Sequence, residues 1–161
     1  MKAPIPNNEK ERLEAVHRLG ILDTKPDPKY DALTREATEK LHVPISTVSI
    51  LDTDREWYKS CQGLDMKEGS REVSFCGWAL LSTDIFMVSD TLEDERFKEN
   101  PYVVGPPYIR FYAGFAIRDS VTGAPIGVFC VKDTKPRKLS IDEIGILFDL
   151  AKKAELLLNT N

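Results

Sequence analysis

Two short apolar runs constrain this chain more than anything else in it: RFYAGFAIR at 110–118 and PIGVFCVKD at 125–133. Each is rich in aromatic and β-branched residues, and each is apolar at odd and even positions alike. A strand with that pattern is covered on both faces. The polar link between them, DSVTGA at 119–124, contains Gly123, which takes a positive φ at no steric cost. The runs therefore predict a hairpin of two central strands. An amphipathic helix follows. This is the plan of an α+β domain, and it argues against an enzyme built on a dinucleotide-binding crevice.

The flanking elements follow from local signals. Asn8, with Glu11 three residues on, predicts a capping box and a helix over 8–19 that stops at Gly20. Asp27 and Pro28 open a second helix, 28–42, with Tyr30, Leu33, Ala37 and Leu41 on its apolar stripe and Pro44 beyond its end. A strand at 45–51, a turn at 52–55 and a strand at 56–61 come next. Residues 62–109 read as a long insert with a short helix near 75–81, a strand near 85–89, a helical turn near 93–97 and a rigid loop at 104–107. Long inserts with structure of their own are where sites often lie. The last helix, 140–158, begins at the capping box Ser140/Glu143. Its seam, Ile144, Leu147, Ala151, Ala154 and Leu158, fits either the domain's own sheet or a coiled-coil partner.

Composition narrows the function classes. A chain of 161 residues suits one domain with a core that needs no staples. A net charge of −4 argues against a nucleic acid held by phosphate neutralisation. No stretch approaches the ~18 apolar residues of a membrane span. The N-terminus has no apolar signal region, so a cytoplasmic location is expected. The three cysteines, Cys61, Cys76 and Cys130, form no C-x-x-C pair, and apolar neighbours suggest inert packing for Cys76 and Cys130. His17 and His42 fall on predicted helices with no zinc-like spacing, and there is no serine–histidine–acid set and no phosphate-binding glycine loop.

Four segments in order resemble the GAF family, in the form that often opens bacterial signalling proteins. They are RLGILDT at 18–24, EVSFCGWA at 72–79, DERFKENP at 94–101 with IRFYAG at 109–114, and GVFCVKD at 127–133. The resemblance spans nearly the whole chain. It implies one α+β domain over 1–161, with a central antiparallel sheet of about six strands (core 43–133) and helices packed on its faces. It further implies a non-catalytic sensory domain that binds a small molecule. Such a domain forms a homodimer through terminal helices lying together at one side, and its C-terminal helix passes the signal on. The expected output, attached or as a partner, is a histidine kinase or a cyclic-di-GMP synthase or phosphodiesterase. No single cofactor follows, because GAF domains bind cyclic nucleotides, tetrapyrroles, haem, amino-acid derivatives or nothing known.

The expected site lies where the insert meets the hairpin. Phe75, Cys76 and Trp78 are on the short helix, Asp90 follows the strand, Arg96 and Phe97 are on the next turn, and Arg110 and Tyr112 open the hairpin. Trp78 and Tyr112 suit stacking on a flat ligand, and Arg96 or Arg110 suits a carboxylate or phosphate. The competing structural reading makes Trp78 and Phe97 core, Asp90 a helix cap, and both arginines pins for the loops. DERFKENP departs from the Asn-Lys-x-Asp signature of cyclic-nucleotide-binding members. Cys76 is followed by Gly77 rather than the histidine that accompanies covalent bilin attachment. Two rival functions remain. One is a dimerisation module whose insert is filled by side chains. The other is a thiol enzyme resembling free methionine sulfoxide reductases, for which Cys76-Gly77-x-Ala79 fits the first thiol but 91–109 offers no second.

Overall fold

In the computed structural model, which describes residues 1–160, the two apolar runs are the paired strands at the middle of one antiparallel sheet. The strands are β1 (Ile45–Leu51), β2 (Arg55–Gln62), β3 (Glu68–Ser70), β4 (Phe86–Val88), β5 (Phe111–Arg118) and β6 (Pro125–Asp133), in the order β3-β2-β1-β6-β5-β4. The helices are α1 (Glu9–Leu19), α2 (Pro28–Leu41), α3 (Phe75–Ala79), α4 (Pro101–Val104) and α5 (Ile141–Asn159), with a single 3-10 turn at Thr91–Glu93. This is the α+β architecture expected from the sequence. Among the described residues, no helix is long and apolar enough to cross a membrane.

Alternation along the strands sends side chains to two different layers. Val48, Ile50, Phe111, Ala113, Phe115, Ile117, Phe129 and Val131 join Val16 of α1, Ala37 and Leu41 of α2, and Leu147, Ala151, Ala154 and Leu158 of α5 in one apolar core. Ile45, Leu51, Tyr112, Val128 and Cys130 face the other way, under Phe75, Cys76 and Ala79 of α3 and under Phe97 and Val103. The register between β1 and β2 shifts at Val48/Ser49, and this bulge re-aims β2 part-way along its length. Lys59 and Ser60 consequently both reach α2 or the loop before it, Ser60 to Thr34 and Asp31, Lys59 to Thr24 and Lys25.

The end signals behave unevenly. Asp27 accepts from the Lys29 N–H, and Ser140 and Glu143 form the reciprocal box that starts α5. Asn8 precedes α1 as expected but makes no capping bond, because its backbone (φ −97°, ψ 29°) is not the extended conformation that aims the side chain at the first turn. Gly20 ends α1 with a left-handed φ of 63°. The seam of α5 packs on the domain's own core, with Ile144 at its margin. The helix beside α5 is α2 rather than α1.

The insert departs from expectation in detail. Its helix ends at Ala79, and the 3-10 turn lies at Thr91–Glu93, just before the position expected. Two elements carry no periodicity that predicts them: β3, whose three residues are held only by pairing with β2, and α4, a single turn capped by Asn100 with Pro101 behind it.

Candidate functional site

The polar side chains of the insert-covered face converge beside β2 and β6. Glu56 and Tyr58 are two residues apart on β2 and so share a face. Lys132 enters from β6, opposite Tyr112 on one side and Ile45 on the other. With Phe75, Tyr102 and Ile109 they line a partly open cleft of about 350 Å³, counting the part open to solvent. Lys132 is only 5% exposed and Glu56 only 3%. The Lys132 ammonium lies 5.8 Å from the Phe75 ring centre and 5.9 Å from that of Tyr112. Among the described residues it has no hydrogen-bond acceptor and no ion-pair partner. One carboxylate oxygen of Glu56, Oε2, is buried with no donor, and Oε1 takes only a long bond of 3.5 Å from the Tyr58 hydroxyl.

Electrostatics keep Lys132 charged. Burial alone would lower the Lys132 pKa, but the neighbouring Tyr58, Cys130, Glu56 and Cys76 hold it well above the ordinary lysine value. Burial, and then the Glu56 charge, push the Tyr58 phenol up. The cleft thus holds a buried cation and a neutral phenol whose hydrogen-bonding capacity the protein leaves largely unmet.

Next to the cleft, small polar groups form a seam across β1, β6 and α3. Thr47 Oγ1 is 2.8 Å from Ser49 Oγ and 3.1 Å from Cys130 Sγ. Cys76 Sγ is 3.1 Å from the Tyr112 hydroxyl and 3.8 Å from Cys130 Sγ. Burial, then the bond to Cys130, raise the Cys76 thiol. Burial would raise Cys130 as well, but its bond from Cys76, the Lys132 charge and the Thr47 bond bring it down to about 7. Both thiols are fully buried. Gly114 makes the room: a Cβ there would stand 2.8 Å from the Tyr112 hydroxyl oxygen and 2.9 Å from Val128 Cγ1.

The structure gathers six of the eight residues expected from the sequence. Phe97 stacks on Phe75 (4.5 Å between centres, 21°), and Phe75 on Tyr112 (5.3 Å, 14°). Trp78 meets Phe97 edge-on at 5.9 Å, and Cys76 lies under Tyr112. Arg96 covers the rim, 4.9 Å from the Phe86 ring centre and 5.4 Å from that of Trp78, and its fork is already bonded to Asp94 (2.7 and 3.0 Å). That pairing holds the Asp94 carboxyl below its usual range. Asp90 caps the 3-10 turn by accepting from the Leu92 N–H. Arg110 donates to the backbone carbonyls of Val103 and Ile109. Phe75 is the member of the eight that lines the cleft. Glu56, Tyr58, Tyr102 and Lys132 were not singled out from the sequence. The available signal was a charged residue at the inward register of a strand otherwise apolar on both faces, as Lys132 is two residues after Cys130. Among the described residues, no group of His, Cys, Asp and Glu side chains is arranged to hold a metal.

No protein-family model matches the chain. It is 40% identical over 134 residues to the cyclic di-GMP phosphodiesterase PA2567 of Pseudomonas aeruginosa, a match covering 83% of this chain and 23% of that protein. The chain therefore spans about a quarter of that relative's length. Among solved structures it resembles the GAF domain of the Acinetobacter phosphoenolpyruvate-protein phosphotransferase, with a TM-score of 0.64, 15% identity, and coverage of 93% of this chain and 94% of that one. It resembles the type II free methionine-R-sulfoxide reductase of Thermoplasma acidophilum equally well, with a TM-score of 0.64, 16% identity, and coverage of 92% and 95%.

Proposed function

This is a GAF-like domain, and on that premise we propose that it is the sensory domain of a cytoplasmic signal-transduction protein whose input is a small molecule held in the Glu56–Lys132 cleft. The observation that carries the reading is the Lys132 ammonium, buried at the cleft and without an acceptor. Nearby groups favour the charge, but its three N–H donors find no acceptor in the protein, and buried donors are costly to leave unmet. Phe75 forms the cleft wall, with Cys76, Trp78, Phe97 and Tyr112 packed behind it. Asp90, Arg96 and Arg110 hold the surrounding loops. A ligand that favours one packing of α3 and α4 shifts the population of that state. Strand β6 carries Lys132 toward the cleft and packs against α5 on its other face, so α5 is the element placed to pass the shift onward.

The likeness to a cyclic di-GMP phosphodiesterase supports an output in cyclic-di-GMP signalling. A homodimer through α5 would use its outward residues Ile141, Phe148 and Leu156, which are exposed, because the inward seam is filled by the domain's own core. Native mass spectrometry before and after unfolding tests the central claim. The expected result is a small non-covalent adduct in the native protein that is missing from Lys132→Met. An adduct-free homodimer that also fails every ligand screen would instead favour a dimerisation module.

One observation supports a second reading, a thiol enzyme: the 3.8 Å approach of Cys76 and Cys130 in a fold shared with a methionine sulfoxide reductase. That chemistry needs a reachable thiolate. Both thiols are buried, whereas Cys61 is partly exposed. A thiol reagent should label Cys61 in the native protein and reach Cys76 and Cys130 only on unfolding. Fast native labelling of Cys76 or Cys130 would put the enzyme reading first.

A further inference from the structure

Resting on that reading of the cleft, we infer that its ligand is a small apolar amino acid bound as the zwitterion, with its carboxylate on Lys132 and its ammonium on Glu56. Two groups carry the inference. Lys132 offers three N–H donors and a full charge, and no protein acceptor meets them. Glu56 Oε2 is an acceptor buried without a donor. Both line the same cleft, and no ion pair joins them.

Charge balance then selects the ligand. A plain anion would meet Lys132 but bring a second negative charge toward Glu56. A plain cation would meet Glu56 and be repelled by Lys132. A molecule with one carboxylate and one ammonium satisfies both and adds no net charge. The remaining walls, Phe75, Ile109, Leu64 and Met66, are apolar and suit a hydrocarbon or aromatic side chain. Even with its open part counted, the cleft measures about 350 Å³, too little for a cyclic dinucleotide or a tetrapyrrole.

Isothermal titration of the full chain tests this with L-leucine, L-methionine and L-phenylalanine. Each is compared with the analogue lacking the amino group, the analogue lacking the carboxylate, and the 2-hydroxy acid. At least one amino acid should bind at least about tenfold more tightly than all three of its analogues, a difference of about 1.4 kcal/mol. Lys132→Met and Lys132→Gln should each weaken it tenfold or more, with far-ultraviolet circular dichroism verifying the fold of both. Glu56→Gln should shrink the preference for the amino acid over its deaminated analogue.

If a deaminated or hydroxy analogue binds as tightly as the amino acid, the zwitterion inference fails while the cleft remains a ligand site. The same holds if no panel compound binds but a different adduct is lost in Lys132→Met. If amino-acid binding is untouched by both Lys132 variants, the site is elsewhere and the inference and the cleft reading fall together. They also fall together if neither a panel compound nor any adduct binds.

Discussion

The two faces of the sheet come from the same strands, one residue out of step, yet they are built for different ends. The face under α1, α2 and α5 is closed by aliphatic and aromatic side chains from three long helices. The face under α3, α4 and the connecting loops contains Thr47, Ser49, Cys76, Cys130 and Tyr112 in mutual contact, with Glu56 and Lys132 beside them. Its cover is a helix of 5 residues and another of 4. The first face supplies stability, since each fully buried apolar side chain adds transfer and packing energy. The second gives up part of that gain to keep polar groups, a cleft and a thin cover, which is the usual exchange between stability and function.

The largest expected effect probes the first face. Phe129→Ala removes a fully buried ring and should cost about 4 kcal/mol in denaturant unfolding. Phe75→Ala removes a ring that is also buried but has the cleft on one side, and should cost about 3 kcal/mol. A Phe75→Ala cost larger than that of Phe129→Ala would undo the contrast between the faces.

Next in size is the clamp that ties α1 to the rest of the domain. Glu9 accepts from Arg12 at 2.8 Å and from both terminal nitrogens of Arg71, which also donates to the Asp52 carbonyl. Both arginines are buried. Glu9→Gln leaves two buried cations short of their counter-charge and should cost about 3 kcal/mol. The pH dependence has a definite sign. Burial would raise the Glu9 pKa, but the bonds from Arg71 and Arg12 outweigh it and hold the carboxyl below its usual range. The unfolded chain therefore binds the proton first. Stability from this clamp is present above the unfolded carboxyl pKa of about 4.3 and is lost as pH falls through the lower folded value. Unfolding midpoints followed from pH 6 down to pH 2 (an assay range of about four units) should fall more steeply for the wild type than for Glu9→Gln.

What could be read ahead of the structure was what local chemistry decides. The hairpin of β5 and β6, the helix boundaries near Gly20 and Ser140, and the Asp27 and Ser140 caps each depend on residues a few positions apart. The cleft does not. It needs the pairing of Lys132 with both Ile45 and Tyr112, and it needs Glu56 and Tyr58 on the insert-covered side ahead of the bulge. Nothing within ten residues of Lys132 announces those neighbours. Arg96 and Arg110 show the converse. Their residue type suits an anionic ligand, but Asp94 occupies the fork of Arg96, and Nη1 of Arg110 is turned to the carbonyls of Val103 and Ile109. Only the folded chain reveals which cations are already paired.

The smallest effect is the most discriminating, because its size separates a site from a second core. Lys132→Met keeps the length and apolar stem that pack over Phe75 and Tyr112 but removes a buried charge with no acceptor. Replacing a buried ion by an apolar side chain is often neutral or stabilising, but the field of Tyr58, Cys130 and Glu56 that raises the Lys132 pKa works against that gain. Loss of the weak attraction to the two rings, about 0.5–1 kcal/mol, opposes that gain. The ligand-free variant should therefore lie within about 1 kcal/mol of the wild type in either direction. Saturating ligand should put the wild type ahead, because a hundredfold excess over its Kd adds about 2.7 kcal/mol to it but at most about 1.4 kcal/mol to a variant that binds tenfold more weakly. A ligand-free loss above about 2 kcal/mol would mean that Lys132 is a structural cation compensated by Glu56 and the surrounding dipoles. The insert-covered face would then be a second core rather than a site.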